Sequence, residues 1–120
     1  MSYLTLQVYQ KTHAQGVRCH GMSLRLPQFE LYESGSQLRR AAKSVSANIV
    51  EGYGRKQYTA DYVRFLVIAL ASNDETREWL SYIEECHPDH AETVRPLIAE
   101  NEEVGRMLNR FIQSISPGSH

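Results

Sequence analysis

Residues 37–55, QLRRAAKSVSANIVEGYGR, decide the fold. Apolar or small residues recur there in steps of three and four, which is the period of an α-helix. They are Leu38, Ala41, Ala42, Val45, Ile49 and Gly52. The small members of this stripe predict close approach of a neighbouring helix, and Gly52 and Gly54 predict the end of the helix. The helix is expected to begin with Ser34 or Ser36, and Ser34-x-x-Gln37 fits a capping box.

A first helix is predicted before this stretch, over residues 3–20, and Gly21 is its expected stop. Its expected face consists of Leu6, Tyr9, His13, Gly16, Val17 and His20. Residues 21–35 follow as an apolar connection in which Pro27 and Gly35 prevent a continuous helix. We expect this connection to pack over the end of the helices.

A third helix is predicted from about Thr59, its expected N-cap, to Cys86. One stripe of it should be buried in the core: Tyr62, Phe65, Leu66, Ala69, Asn73, Thr76, Leu80 and Ile83. A second apolar stripe consists of Val63, Val67, Leu70 and Ala71. Between Tyr62 and Ala71 only Arg64 is charged. A helix that is apolar on all sides must be buried on more than one side, so the second stripe predicts a subunit interface.

The fourth helix follows Pro88, with Asp89-x-x-Glu92 as its expected cap. Pro96 either kinks this helix or marks its start. Its apolar face comprises Ala91, Val94, Leu97, Ile98, Val104, Leu108, Phe111, Ile112 and Ile115. Four amphipathic helices predict one all-α domain over residues 1–120, an antiparallel four-helix bundle with up-down-up-down order. We expect its core over about residues 3–115 and a tail after it.

Composition restricts the compartment. The chain has 120 residues, of which 42% are hydrophobic, and no run approaches the roughly 20 apolar residues of a membrane span. The N-terminus lacks the basic and apolar regions of a secretory signal. The two cysteines, Cys19 and Cys86, form no recognisable framework. We expect a reduced, cytoplasmic protein.

Charge is distributed unevenly along the chain. The net charge is −1, yet residues 1–64 carry nine Lys/Arg against four Asp/Glu and residues 65–120 carry four against ten. Overall neutrality argues against a generic nucleic-acid binder. The asymmetry nevertheless allows one positive surface.

The stretch quoted first also carries a resemblance to a family. The pattern is Gln37-x-Arg39-Arg40-Ala41-Ala42-x-Ser44-Val45-x-x-Asn48-Ile49-x-Glu51-Gly52-x-Gly54-Arg55, followed by Tyr62-x-Arg64-Phe65-Leu66-x-Ile68-Ala69-x-Ala71-Ser72-x-x-Glu75. It resembles the signature of the bacterial 23S rRNA intervening-sequence, or S23, family over residues 3–115. The resemblance implies a cytoplasmic four-helix bundle that assembles as a homopentamer, without an enzyme activity or a cofactor. A related branch, the accessory variability determinants of diversity-generating retroelements, implies binding to nucleic acid and a reverse transcriptase. This chain departs from the pattern at Asn73 and Asp74, and we expect altered packing there.

Five cations are the candidate binding residues: Arg39, Arg40, Lys43, Arg55 and Lys56. They predict contacts to RNA phosphates, and Tyr53 and Tyr58 are placed to stack on unpaired bases. The alternative is that the cations are solvated flanks of a core helix or pair with the acids of the second half. Asn48 and Glu51 are expected to be structural, and Glu51 can reach Arg55 at i+4.

Two other clusters suggest chemistry less strongly. Cys86-His87-x-x-His90 has no recognised zinc spacing, so we expect no metal there. Asp74, Glu75, Glu78, Glu84 and Glu85 are expected on a solvated face or an interface rather than in a metal-dependent hydrolase. The sequence thus predicts a non-enzymatic oligomeric bundle that binds RNA or an RNA-associated protein, with no catalytic residue. A protein-interaction scaffold and the hydrolase are the alternatives.

Overall fold

A computed structural model describes residues 2–118 and contains four long helices. They are α1, Gln7–Ser23; α2, Ser34–Tyr53; α3, Thr59–Cys86; and α4, Ala91–Ile115. Short 3₁₀ turns at Tyr3–Thr5, Gln28–Leu31 and Pro88–His90 precede α1, α2 and α4. No strand occurs within residues 2–118, so the all-α prediction is confirmed. The helices pack into a rod of 45 × 21 × 21 Å. Of the expected tail, residues 119 and 120 lie outside the described part.

The sequence assigned the wrong face of α1 to the core. Val17 is 59% exposed, His13 is exposed and Leu6 and Tyr9 are half-buried, whereas Gly16 alone of that stripe is buried. The buried face instead comprises Val8, Thr12, Gln15, Cys19 and Met22. It contains two polar residues, which is why a search for apolar periodicity chose the neighbouring face. Gly21 does not stop the helix, which continues to Ser23.

The predicted capping box of α2 is also wrong. Helix α2 does begin at Ser34, but no side-chain cap forms at the N-cap residue, Glu33. The carboxylate of Glu30, in the preceding 3₁₀ turn, accepts the Ser34 N–H at 3.1 Å. A buried acid thus satisfies a free amide at the positive end of the helix dipole. The connection packs on the bundle through Leu26 and Glu30, both buried.

The predicted α2 stripe is confirmed. All six of its members, Leu38, Ala41, Ala42, Val45, Ile49 and Gly52, are buried. Helix α2 ends at Tyr53 with Gly54 as its C-cap. A Cβ placed on Gly52 would lie 3.1 Å from the Phe65 Cβ, which shows how closely α3 approaches α2 there. Only Phe65 of the predicted core stripe of α3 is half-buried; its other seven members are buried.

The predicted caps of the last two helices do not form. Thr59 is the first residue of α3, and the N-cap position belongs to Tyr58, without a side-chain bond. Helix α4 begins after His90, and no side chain caps it, so Asp89 does not serve as the cap. Pro96 lies inside α4, five residues after its start at Ala91, so it does not mark the beginning of that helix. The apolar face of α4 is buried as predicted, except that Phe111 and Ile115 are half-buried.

A layer of buried amides separates two hydrophobic clusters. One cluster lies around Leu38, Leu80 and Val94, and the other around Ile49, Leu66 and Leu108. Between them three amide side chains, Gln15, Asn73 and Asn101, form a hydrogen-bonded group. Asn73 Oδ1 accepts from Gln15 Nε2 at 3.0 Å and from Asn101 Nδ2 at 3.1 Å, and Asn101 Nδ2 also donates to Gln15 Oε1 at 2.9 Å. Asn73, expected to change local packing, therefore joins α1, α3 and α4 through buried hydrogen bonds.

Candidate nucleic-acid interface

The five predicted cations do not form one patch. Arg39, Arg40 and Lys43 lie in the first half of α2, and Arg55 and Lys56 lie after its C-terminus. Twelve residues separate Lys43 from Arg55, which corresponds to about 18 Å along a helix axis. The structure therefore divides the predicted group into a helix part and a part at the α2–α3 turn.

Arg39 is committed to the fold. Its Nη1 donates to Ser23 Oγ at 2.9 Å and its Nη2 donates to the Leu31 carbonyl oxygen at 2.7 Å. These bonds join α2 to the C-terminus of α1 and to the connection that follows. Arg39 therefore has a structural role that differs from both interpretations, because it is half-buried and its acceptors are a hydroxyl and a carbonyl oxygen of the first half.

Arg40 and Lys43 remain exposed on α2. Neither has a carboxylate within 4.0 Å among the described residues. Lys43 also lines a groove between α1 and α2, together with Val17 and His20. These two cations are available to an anionic or acidic partner.

Cations and aromatic rings alternate at the α2–α3 turn. The Arg55 guanidinium carbon lies 4.7 Å from the centroid of the Phe65 ring, and that of Arg64 lies 4.6 Å from the same centroid. Lys56 Nζ lies 4.1 Å from the Tyr53 ring centroid and donates to the Tyr53 hydroxyl at 2.9 Å. We call these five residues the cationic tip. Cation–π contacts hold its charged groups in place above ring faces.

Two surface ion pairs accompany the cationic tip. Arg55 pairs with Glu51 at 2.6 Å, which confirms the predicted i,i+4 contact, and Arg64 pairs with Asp61 at 3.6 Å. Exposed pairs of this kind contribute little to stability, so a phosphate can replace either carboxylate at small cost. Beside the tip, the Tyr58 side chain is 62% exposed. This arrangement offers cations for phosphates and a ring for a base.

Arg64 and Phe65 belong to this site although neither was among the predicted binding residues. Phe65 was assigned to the core, yet the structure leaves it half-buried under two guanidinium groups. The available signal was Arg64, the single charge in the apolar run that begins α3. One charge at the start of an apolar helix, beside a basic turn, indicates that this side of the helix faces solvent.

Asn48 is structural, as predicted. Its Nδ2 donates to the Ser44 carbonyl oxygen at 2.8 Å and to Ser44 Oγ at 3.0 Å. Ser44 Oγ in turn lies 2.9 Å from Ser72 Oγ. These contacts join α2 to α3 below the tip.

His87 in the Cys86-His87-x-x-His90 group binds a carboxylate. Its Nε2 lies 2.6 Å from Glu30 Oε2. Burial raises the pKa of Glu30, but the hydrogen bonds from His87 and Ser34 outweigh it and hold this pKa below its usual value. No group of three or more metal-binding side chains occurs within residues 2–118.

The acidic residues of α3 do not converge. Asp74, Glu75, Glu78 and Glu85 are exposed. Glu84 is half-buried and accepts from Arg95 at 3.0 Å. Most of these carboxylates therefore lie on the exposed outer face of α3, as predicted.

The second apolar stripe of α3 is only partly covered in the single chain. Val63 and Leu70 are half-buried against the core, whereas Val67 and Ala71 are exposed. Val67 is 38% exposed and the adjacent Ile68 is 39% exposed. The predicted interface thus keeps a narrow apolar strip, and its function as an interface stays a prediction.

In residues 2–118 no helix has the length and apolar character that crossing a membrane requires.

Comparison with known proteins places this bundle in a family. The family model for 23S rRNA-intervening sequence proteins matches residues 4–110. A crystal structure of a protein of unknown function from the S23 ribosomal protein family of Bacteroides thetaiotaomicron is similar, with a TM-score of 0.75 and 25% sequence identity. That similarity covers 88% of this chain and 98% of the other. Among curated proteins, none matches this chain. Because the family model extends over most of the sequence, the chain belongs to the family of 23S rRNA-intervening sequence proteins.

Proposed function

We propose that this protein is a non-enzymatic, cytoplasmic, oligomeric bundle that binds RNA at unpaired nucleotides through its cationic tip. The observation that supports this proposal is the packing of Arg55 and Arg64 over Phe65, with Lys56 over Tyr53. Guanidinium planes and aromatic rings stack on unpaired bases, and the same cations bind the phosphates between them. Both kinds of contact are needed to hold a single strand.

The distribution of charge supports a local contact rather than a wide one. The chain is nearly neutral, with a net charge of −1, so a long duplex would meet repulsion from the acidic half. A small tip that is repeated around an oligomer gains avidity without a basic surface everywhere. We infer a homo-oligomer, with the pentamer of the family resemblance as the expected size. A relation to the accessory proteins of diversity-generating retroelements stays a prediction.

The up-down-up-down order belongs to the same proposal. Ser44 of α2 lies against Ser72 of α3. Gly52, which comes later in α2, lies against Phe65, which comes earlier in α3. These two contacts support antiparallel α2 and α3. Short connections between successive helices support the same order for the rest of the bundle.

Direct binding of oligoribonucleotides tests the RNA proposal. The variant Arg55→Glu/Lys56→Glu reverses two charges at the tip. Its matched control, Arg25→Glu/Arg95→Glu, reverses two exposed charges near the other end of the bundle, where Arg25 lies beside Thr93 and Arg95 pairs with Glu84 near the end of α3. We expect the tip variant to lose at least tenfold in affinity for a single strand and the control to stay within about threefold of the wild type, as distant exposed charges act weakly.

The choice of RNA separates the proposal from its alternatives. The same sequence is presented as a single strand and as a blunt duplex, and the single strand should bind more tightly because only its bases can stack. Equal losses in the two variants would show that binding is not at the tip. The scaffold would replace the proposal if the wild type binds neither RNA and purifies from cells in a stable protein complex that contains no nucleic acid. Turnover of the RNA in the presence of Mg²⁺ would overturn the non-enzymatic part.

A further inference from the structure

An exposed groove lies between α1 and α2, on the face of α1 that the sequence assigned to the core. It has a volume of about 420 Å³ and is lined by His13, Gly16, Val17 and His20 of α1 and Lys43 and Ser46 of α2. We call it the α1–α2 groove. Val17 is 59% exposed there, and Gly16 brings the α2 backbone near, since a Cβ on it would lie 3.7 Å from the Ala42 carbonyl oxygen. The groove is thus a shallow apolar trough with a cation on one wall.

A ridge of complementary character lies on α3. Val67, Ala71, Asp74 and Glu78 follow each other in steps of four, three and four, and all four are exposed. Such steps place them in one line along the helix. We call this line the α3 ridge. It is apolar in its first half and acidic in its second, and neither Asp74 nor Glu78 has an ion pair within residues 2–118.

The two surfaces match in chemistry and are too far apart to meet in one chain. The groove offers the Lys43 ammonium and the N–H groups of two histidines, with Arg40 beside it, and the ridge offers unpaired carboxylates. Helices α1 and α3 lie diagonally across the bundle, where the buried Gln15–Asn73 hydrogen bond joins them, and each packs closely on α2 and α4. A ridge-to-ridge pairing would set Asp74 and Glu78 either against their own copies or against the apolar Val67 and Ala71, and neither arrangement gives the carboxylates a cation.

We propose that the α3 ridge of one copy docks in the α1–α2 groove of the next copy. The proposal rests on the oligomeric state in the proposed function and specifies the surfaces that produce it. Val67 and Ala71 lie on Gly16 and Val17, and the ridge carboxylates face Lys43. Because the two surfaces differ, the contact is heterologous, and each copy uses a groove on one side and a ridge on the other. Such a contact closes into a ring or continues as an open chain.

Complementation between two broken variants tests this contact. Val17→Glu places a carboxylate in the groove against the apolar half of the ridge, and Val67→Glu places a carboxylate on the ridge against Gly16 and Val17. Both positions are exposed, so neither change disturbs the core. The matched control is Leu24→Glu, at an apolar position 55% exposed outside the groove. The measurement is the mass in solution, by sedimentation or light scattering.

Each variant alone should be monomeric, and the control should keep the mass of the wild type. An equimolar mixture of the two broken variants should form a dimer and nothing larger, because Val17→Glu retains a ridge, Val67→Glu retains a groove, and the two altered surfaces carry like charges that repel each other. Three results overturn the proposal: a monomeric wild type, assembly of Val17→Glu as in the wild type, or a mixture that stays monomeric. These results do not bear on the RNA proposal, which is tested by its own variant. Arg55→Glu/Lys56→Glu should keep the wild-type mass but lose RNA binding.

Discussion

Truncation of Asn73 to alanine should destabilise the bundle more than any exposed polar substitution. The Asn73 side chain accepts from Gln15 Nε2 and Asn101 Nδ2 through Oδ1 and donates to the Asn101 carbonyl oxygen at 3.1 Å through Nδ2. Its removal leaves Gln15 Nε2 buried without an acceptor, whereas Asn101 Nδ2 keeps Gln15 Oε1 and the Asn73 carbonyl oxygen. Two losses matter most: one donor is orphaned, and the hydrogen bond from Asn73 Nδ2 is lost outright, while Asn101 Nδ2 keeps two of its three acceptors.

The magnitude follows from these two losses. An unsatisfied buried donor costs about 1–3 kcal/mol, and a lost hydrogen bond costs about 1 kcal/mol. The higher helix propensity of alanine returns roughly 0.5 kcal/mol. The free energy of unfolding should thus fall by about 1.5–3.5 kcal/mol, which lowers Tm by about 10 °C in a domain of this size.

Urea denaturation followed by circular dichroism measures this loss, and Asn109→Ala is the matched control. Asn109 is exposed on α4 and donates only to the Gly105 carbonyl oxygen, at 3.2 Å, so its truncation should cost at most about 0.5 kcal/mol. The double variant Asn73→Ala/Asn101→Ala should lose at least about 1 kcal/mol less than the sum of the single losses, because the two side chains share a network. A loss in Asn73→Ala no larger than in Asn109→Ala would refute the account of the amide layer.

Three other outcomes are expected. Gly35→Ala should destabilise the fold, because the new Cβ would lie 2.5 Å from the Glu30 carbonyl oxygen. Gly21→Ala should instead gain about 1 kcal/mol of helix propensity, since no atom lies within 4 Å of its new Cβ. Shifts in Tm with the same sign in the two variants would contradict this. The folded-state pKa of Glu30 lies below its usual 4.5, so the stability that the ionised carboxylate contributes is complete above that pH and is lost as pH falls through the folded pKa. The Glu30→Gln variant should therefore lose less unfolding free energy on acidification than the wild type. A loss as steep as that of the wild type would speak against the buried contact. Burial raises the pKa of the Cys19 thiol to about 12. A thiol reagent should therefore label the exposed Cys86 in the native state and label Cys19 only after unfolding. Rapid labelling of both thiols in the native state would show that Cys19 is not enclosed.

The helices could be predicted because their apolar residues recur with helical period. In α2 the whole stripe from Leu38 to Gly52 is buried as predicted, and α3 has the predicted limits at Thr59 and Cys86. In α1 the same reasoning failed, because Thr12 and Gln15 occupy core positions that an apolar pattern rejects. A buried amide is visible in sequence only if its partners are known, and Asn101 lies 86 positions from Gln15.

The binding residues were harder to predict for a related reason. Charge along the sequence grouped Arg39 with Arg40, but the bonds from Arg39 to Ser23 and Leu31 depend on a connection whose path the sequence did not specify. The cationic tip depends on the approach of α3 to α2, which brings Arg64 beside Arg55 over one ring. Helix caps failed in the same way, because Glu30 reaches the start of α2 from a separate turn.

The central claim is that the cationic tip binds single-stranded RNA through its charges. The most direct measurement is the salt dependence of the affinity for a single-stranded oligoribonucleotide, for the wild type and for Arg55→Gln/Lys56→Gln. Each phosphate contact contributes about 0.7 to the slope of log affinity against log salt. The account predicts a negative slope in the wild type and a slope smaller by about 1.4 in the variant, since two contacts per chain are removed. Equal slopes in the two proteins, or a wild-type affinity that salt does not change, would contradict it.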